Sequence, residues 1–113
     1  MAVPDGMPDE LVELIARRFR VIGDPMRIRI LNELRTGELS VSELVARTGG
    51  GQQNVSKHLG VLHEARIVER RKQGIQALYS ILDDTVYRLC DEVCGSIQRQ
   101  VHDLSQRLNE HTL

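Results

Sequence analysis

The chain has 113 residues, 41% of them hydrophobic, which is enough for one compact core and too few for two of ordinary size. Aromatic residues make up only 3%, with one Phe and no Trp, so an aromatic platform for stacking single-stranded nucleic acid is excluded and aliphatic side chains must build the core. The formal net charge of −1 hides an asymmetry: residues 52–79 carry five bases (Lys57, Arg66, Arg70, Arg71, Lys72) against two acids (Glu64, Glu69), while residues 1–51 hold seven bases and eight acids and residues 80–113 three bases and six acids. A positive surplus confined to the middle fits a local phosphate-binding surface, or a merely solvated basic patch.

In chain order, a short leader from Ala2 to Met7 is expected to be mobile. It has no basic segment followed by an apolar run, and no window approaches the ~20 apolar residues of a membrane span, so a cytoplasmic protein without membrane contact is expected. Pro8-Asp9-Glu10 opens a first helix whose Leu11, Leu14, Ile15, Phe19 and Ile22 recur at helical spacing until Gly23. Asp24-Pro25 supplies a capping oxygen and a proline at the first helical position, and Met26, Ile30, Leu31 and Leu34 give the second helix its apolar face before Thr36-Gly37. Ser40-Val41-Ser42-Glu43 has capping-box spacing, which predicts a short third helix from about Val41 to Thr48 with Leu44 and Val45 inward.

Gly49-Gly50-Gly51 breaks that helix. A fourth begins at Gln52 with Val55, Leu59 and Leu62 on one face and polar side chains at its start. Two β-prone runs, Ile67–Lys72 and Ile75–Ile81, flank Gln73-Gly74 and predict a hairpin with a basic tip at Arg70-Arg71-Lys72. Asp83 or Asp84 then caps a long last helix with an apolar stripe of Val86, Cys90, Val93, Ile97, Val101, Leu104 and Leu108. Such a stripe is longer than so small a domain covers by itself, so a partner helix is expected, most simply from a second copy.

A short helix, a glycine-rich break and a helix polar at its tip and apolar behind make up a helix-turn-helix, whose second helix enters the major groove of duplex DNA tip first. Gln52, Gln53, Asn54, Ser56, Lys57 and His58 are then the candidate contacts at the groove, and Arg70, Arg71 and Lys72 of the hairpin supply a second backbone contact. Gln and Asn pair bidentately with adenine, whereas Lys57 suits a phosphate. The same polar residues also occur at helix starts for purely local reasons. No second basic surface suggests a double-stranded RNA reader, and no phosphate loop, nucleophile–base pair or carboxylate cluster suggests an enzyme.

Gly23-Asp24-Pro25-Met26-Arg27-Ile28-Arg29-Ile30-Leu31, Gln53-Asn54-Val55-Ser56-Lys57-His58-Leu59-Gly60-Val61-Leu62 and Glu64-Ala65-Arg66-Ile67-Val68, followed by the hairpin and Tyr79-Ser80, resemble the ArsR/SmtB family of winged-helix bacterial repressors over about residues 10 to 100. The resemblance implies a mainly α fold with a small β-hairpin wing, in the order four helices, two strands and a last helix. One winged helix-turn-helix domain would then span residues 1–113, with the helix-turn-helix at about 41–65, the wing at about 67–81 and a dimerisation helix at about 83–109. It also implies a homodimer through the first and last helices, an inverted-repeat operator with half-sites ~34–36 Å apart, and release by an inducer.

Two departures bear on the inducer. Metal-sensing relatives often carry Glu-Leu-Cys-Val-Cys-Asp where this chain has Glu38-Leu39-Ser40-Val41-Ser42-Glu43, and hydroxyls are poor ligands for soft ions. The zinc positions of other relatives correspond to Asp84, Val86, Ile97 and Gln100, which leaves one ligand of four. Cys90 and Cys94 remain, one helical turn apart. They read either as an effector site, holding a soft metal or metalloid ion or a thiol-redox signal across a dimer, or as small buried hydrophobes. His58, His63, His102 and His111 show no paired spacing and are read as ordinary polar positions, with His102 an outlying candidate ligand. A repressor whose inducer or protein partner acts elsewhere, and a winged-helix protein-interaction module, stand as alternatives.

Overall fold

The structure, a computed structural model, describes residues 6–110. The expected mobility of Ala2–Asp5 and the reading of His111 lie outside the described residues. The chain divides after Asp83 into two compact units. The first holds α1 (Asp9–Ile22), α2 (Pro25–Glu33), a 3-10 turn (Leu34–Thr36), β1 (Leu39–Ser40), α3 (Val41–Thr48), α4 (Gln52–Glu64), β2 (Val68–Gln73) and β3 (Gln76–Ile81). The second is the single helix α5 (Thr85–Glu110). No helix among the described residues is long and apolar enough to cross a membrane.

Local chemistry sets the helix boundaries. The Asp24 carboxylate accepts from the backbone N–H groups of Met26 (2.9 Å) and Arg27 (3.1 Å) at the start of α2. At α3 the capping box closes in both directions, with Glu43 N–H donating to Ser40 Oγ (3.2 Å) and Ser40 N–H to Glu43 Oε1 (3.0 Å). These bonds favour the charged forms, so backbone donors at Arg27 and at Ser40 hold the Asp24 and Glu43 carboxyls below their ordinary range. A depressed folded-state pKa means that the stabilisation from both caps is complete above the ordinary carboxylate range and fades as pH falls below it.

The core of the first unit is aliphatic, as the scarcity of aromatics requires. Ile30, Leu44, Val55, Leu59, Leu62 and Ile67 are fully buried, each worth about 1.5–3 kcal/mol. Beside this core runs a three-stranded antiparallel sheet in the order β1-β3-β2. Its edge strand β1 was not expected: Leu39 and Ser40 pair with Tyr79 and Leu78. The expected inward face of α1 is covered only in part, because Ile22 is buried while Leu14, Ile15 and Phe19 are exposed.

The C-terminus of α4 closes in a way that usually calls for glycine. Ile67 N–H donates to Leu62 O and Arg66 N–H to His63 O (both 3.0 Å), the paired bonds of a Schellman motif, with Arg66 in the left-handed position at φ 61°. A non-glycine residue there costs ~1–2 kcal/mol, against about 0.5–1 kcal/mol for the greater freedom of glycine in the unfolded chain. Arg66→Gly is therefore expected to raise stability by about 0.5–1 kcal/mol. Denaturant unfolding of the two proteins checks this, and a loss of stability would mean that the Arg66 side chain contributes more than its backbone strain.

Candidate nucleic-acid interface

The glycine break positions α4. Gly49 takes the left-handed conformation (φ 75°) that ends α3, and its N–H caps back to Val45 O. A Cβ at Gly50 would come within 2.8 Å of Met26 Cε and 3.0 Å of Val55 Cγ2, so the absent side chain lets the turn settle onto α2 and α4. Val55, Leu59 and Leu62 are then fully buried on the inner side of α4, and Gln52, Gln53, Asn54, Ser56 and Lys57 are all exposed. The Gly51 cap brings no side-chain bond, so the first backbone N–H groups of α4 and five polar side chains share one end of the helix.

His58 departs from the expected contact set. Its side chain is only 12% exposed and faces α2, where the Arg27 guanidinium donates to Nδ1 at 3.0 Å. Because a guanidinium only donates, Nδ1 is the acceptor and Nε2 carries the proton, 3.9 Å from Asp24 Oδ1. Arg27 also bonds to the carbonyls of Val21 and Arg20 at the end of α1. His58 thus ties α4 to α2 and, through Arg27, to α1, so its side chain is turned toward α2, unlike the exposed side chains of Gln52, Gln53, Asn54, Ser56 and Lys57.

The hairpin corrects a second expectation. Its strands pair from Val68↔Ile81 to Gln73↔Gln76, so the connection is a two-residue turn of Gly74 (φ 63°) and Ile75. A glycine with positive φ at the first turn position is the type II′ arrangement. Ile75, expected as the first residue of the strand, sits in the turn, and the tip is neutral. The bases lie behind it on β2, where Arg70 and Lys72 are exposed on one face in register with Tyr79 and Ala77. Arg71, on the opposite face, reaches across β3 to Glu38, donating from Nη2 to Oε1 (2.6 Å) and from Nε to Oε2 (3.0 Å). That bidentate bond lowers the Glu38 pKa and raises that of Arg71.

The first unit brings the start of α4 and the hairpin tip together. An open cleft of about 200 Å³ is lined by Ser40 and Ser42, Gln52, and the hairpin residues Ile75, Gln76 and Ala77. Ser42, Ile75 and Gln76 were not anticipated as neighbours of the helix tip, since nothing in their local sequence links them to Gln52. In the second unit, Cys90 is half-buried and Cys94 exposed, and both are free thiols. Val93, Ile97, Val101, Leu104 and Leu108 of the same helix are each at least half exposed. Ser40, at the position of a thiolate ligand in metal-sensing relatives, uses its hydroxyl in the capping box, and no group of three or more His, Cys, Asp and Glu among the described residues could hold a metal ion. Ser40 therefore offers no soft-ion ligand at that position.

The family model for bacterial regulatory proteins of the arsR family matches residues 24–70, the segment that carries α2 through the start of the wing. The transcriptional repressor SmtB homolog of Synechocystis is 32% identical over 95 residues, covering 84% of this chain and 72% of that repressor. The chain belongs to the arsR family. It is a winged helix-turn-helix, DNA-binding transcriptional regulator and not an enzyme. The family regulator KmtR of Mycobacterium tuberculosis is 36% identical over 86 residues, 76% of this chain and 66% of its own length. Among solved structures, the homodimeric winged helix-turn-helix DNA-binding domain of Mb0332 from Mycobacterium bovis superimposes with a TM-score of 0.71 at 28% identity, over 87% of this chain and 91% of that one. The arsR fold is thus present with its four leading helices, wing and long last helix, and the short strand β1 joins the wing to the start of α3.

Proposed function

We propose that this arsR protein is a homodimeric, sequence-specific repressor whose two α4 helices read successive major grooves of an inverted-repeat operator. The observation that carries this reading is the division of α4 into a polar, exposed first turn and a half that is buried in its own domain. Gln52, Gln53 and Asn54 present amides to base edges, Ser56 and Lys57 meet the backbone, and Arg70 and Lys72 of the wing hold flanking phosphates. Arg71 contributes by stiffening the wing through Glu38, and it reaches a phosphate only by giving up that bond. The second copy is accounted for by the exposed apolar stripe of α5 and the exposed Leu14, Ile15 and Phe19 of α1. A homodimeric solved relative supports the same assembly.

Lys57→Ala is expected to weaken binding to cognate and random duplexes alike, since a phosphate contact carries no sequence information. Gln53→Ala is expected to lose about 1–3 kcal/mol on the cognate duplex and little on random DNA. Titrations of both variants against both duplexes separate the roles, and parallel losses on the two duplexes for Gln53→Ala would contradict them.

For the signal that releases DNA, we propose a soft metal or metalloid ion, or a thiol oxidation, at Cys90 and Cys94, with plain packing of the two thiols as the alternative. One turn of α5 brings the two thiols to neighbouring positions, and a second copy would supply two more. Cys90→Ser combined with Cys94→Ser is expected to leave duplex affinity intact while abolishing release by arsenite, Cd²⁺ or a thiol oxidant. Release that persists in the double variant would move the inducer site elsewhere. Loss of affinity without any added inducer would assign the pair to packing.

A further inference from the structure

Arg66 occupies a backbone position that glycine fills without strain, in the left-handed region at φ 61°. No contact of its guanidinium offsets that cost: among the described residues it has no hydrogen-bond or ion-pair partner. Backbone strain held without an internal partner is found chiefly at ligand and active sites. The residue lines an open groove of about 390 Å³ with His63, Glu64, Val68, Glu69 and Leu82, at the far end of α4 from its polar tip. That volume falls among small-molecule sites, ~300–1,000 Å³. Two hydrogen bonds shape the groove: Arg66 N–H to His63 O (3.0 Å) closes α4, and Leu82 N–H to Ile67 O (2.8 Å) brings the exit of β3 beside the start of β2. None of the lining residues belongs to α1 or α5, the helices assigned to the second copy.

The lining is chemically mixed. Glu64 and Glu69 are acceptors, Arg66 and His63 supply donors, and Leu82 leaves 48% of its surface exposed beside the buried Val68. Among the described residues none of these four polar side chains pairs with another, although the guanidinium and both carboxylates line the same groove. Opposite charges that share a groove without closing on each other suit a ligand that carries both signs itself. An anion alone would face Glu64 and Glu69, and a cation alone would face Arg66. We propose that this groove binds a free aliphatic α-amino acid, with its carboxylate on the Arg66 guanidinium and its side chain against Leu82. The guanidinium fork matches a carboxylate through two parallel bonds, with His63 as a further donor. The ammonium goes to Glu64 and Glu69. A peptide terminus carries only one of the two charges and leaves part of the lining unmatched. The assignment stands apart from the DNA-binding reading, since it uses neither the polar tip of α4 nor the bases of the wing.

Calorimetric titration of the full chain tests this with L-leucine, with L-leucinamide, which lacks the carboxylate, and with isocaproate, which lacks the ammonium. L-leucine is expected to bind saturably, and each of the other two about ten- to a hundredfold more weakly, the scale of losing hydrogen bonds to a charged group. Arg66→Gly relieves the backbone and is expected to fold with at least wild-type stability while losing L-leucine affinity by a similar factor. An arginine with a structural role only would move the melting temperature and leave ligand affinity where it was. Glu69→Gln, exposed on β2, is a second variant with the same expected loss, and it decides alone if Arg66→Gly does not fold. No saturable binding of L-leucine, equal affinity for all three compounds, or wild-type affinity in folded Arg66→Gly or in Glu69→Gln would overturn the assignment and leave the groove a solvated surface.

Discussion

Ile97→Glu combined with Leu104→Glu is expected to give a folded monomer whose affinity for an inverted-repeat duplex is at least about a hundredfold lower than wild type, the scale of losing one of two linked binding modules. Ile97 and Leu104 are 54% and 56% exposed, and Val93, Val101 and Leu108 are exposed along the same helix at spacings of three and four residues. Carboxylates at such positions face water in a single chain and disturb its own core little. Across an apolar two-fold seam, the same carboxylates must be desolvated beside their symmetry mates, which is strongly unfavourable. Sedimentation, circular dichroism and duplex titration together read the outcome. A variant that remains dimeric, or a monomer with undiminished affinity, would contradict the assigned interface. Wholesale unfolding would make the stripe part of the chain's own core.

Leu59→Ala is expected to destabilise the protein by ~2–5 kcal/mol, a large part of the 5–15 kcal/mol that holds a typical domain together. Leu59 is fully buried midway along α4, between Val55 and Leu62. Its removal leaves a cavity under the helix that carries the polar tip, so duplex affinity should fall together with the melting temperature, the latter by roughly 8–20 °C. Gln53→Ala, on the exposed side of the same helix, should leave the melting temperature unchanged. Calorimetry of the two variants makes the comparison, and a loss below 1 kcal/mol for Leu59→Ala would show that α4 is held mainly by other contacts.

Features written in neighbouring residues were legible in the sequence. Asp24-Pro25, Ser40 with Glu43, and the glycines after Thr48 each act within one helical turn, and the helix limits they predict agree with those of α2, α3 and α4. Features requiring distant partners were not. A two-residue strand such as β1 has no periodicity of its own, and it exists because Tyr79 and Leu78 present an edge to it. The Arg71–Glu38 bond depends on that same sheet bringing residues 33 apart in sequence into contact across β3. Placing Ile75 in a strand followed from its β-branched side chain, but Gly74 with positive φ fixes a tight turn that needs one more residue.

His58 is different, because its position was available from spacing alone. It stands three residues after Val55 and four before Leu62, on the face those residues bury, so its helical phase pointed inward whatever its polarity. Arg66 shows the opposite case: helix-ending rules expect glycine where the chain has arginine, and only the backbone dihedral reveals the strain.

Two copies of a polar helix tip, each backed by a basic wing, are expected to clamp one duplex. The most direct test is the salt dependence of duplex binding, measured together with stoichiometry. If Lys57, Arg70 and Lys72 from each of two chains neutralise phosphates, the logarithm of the binding constant should fall with the logarithm of salt concentration at a slope of about −5, with two chains per duplex. A slope near zero, or saturation at one chain per duplex, would contradict the account.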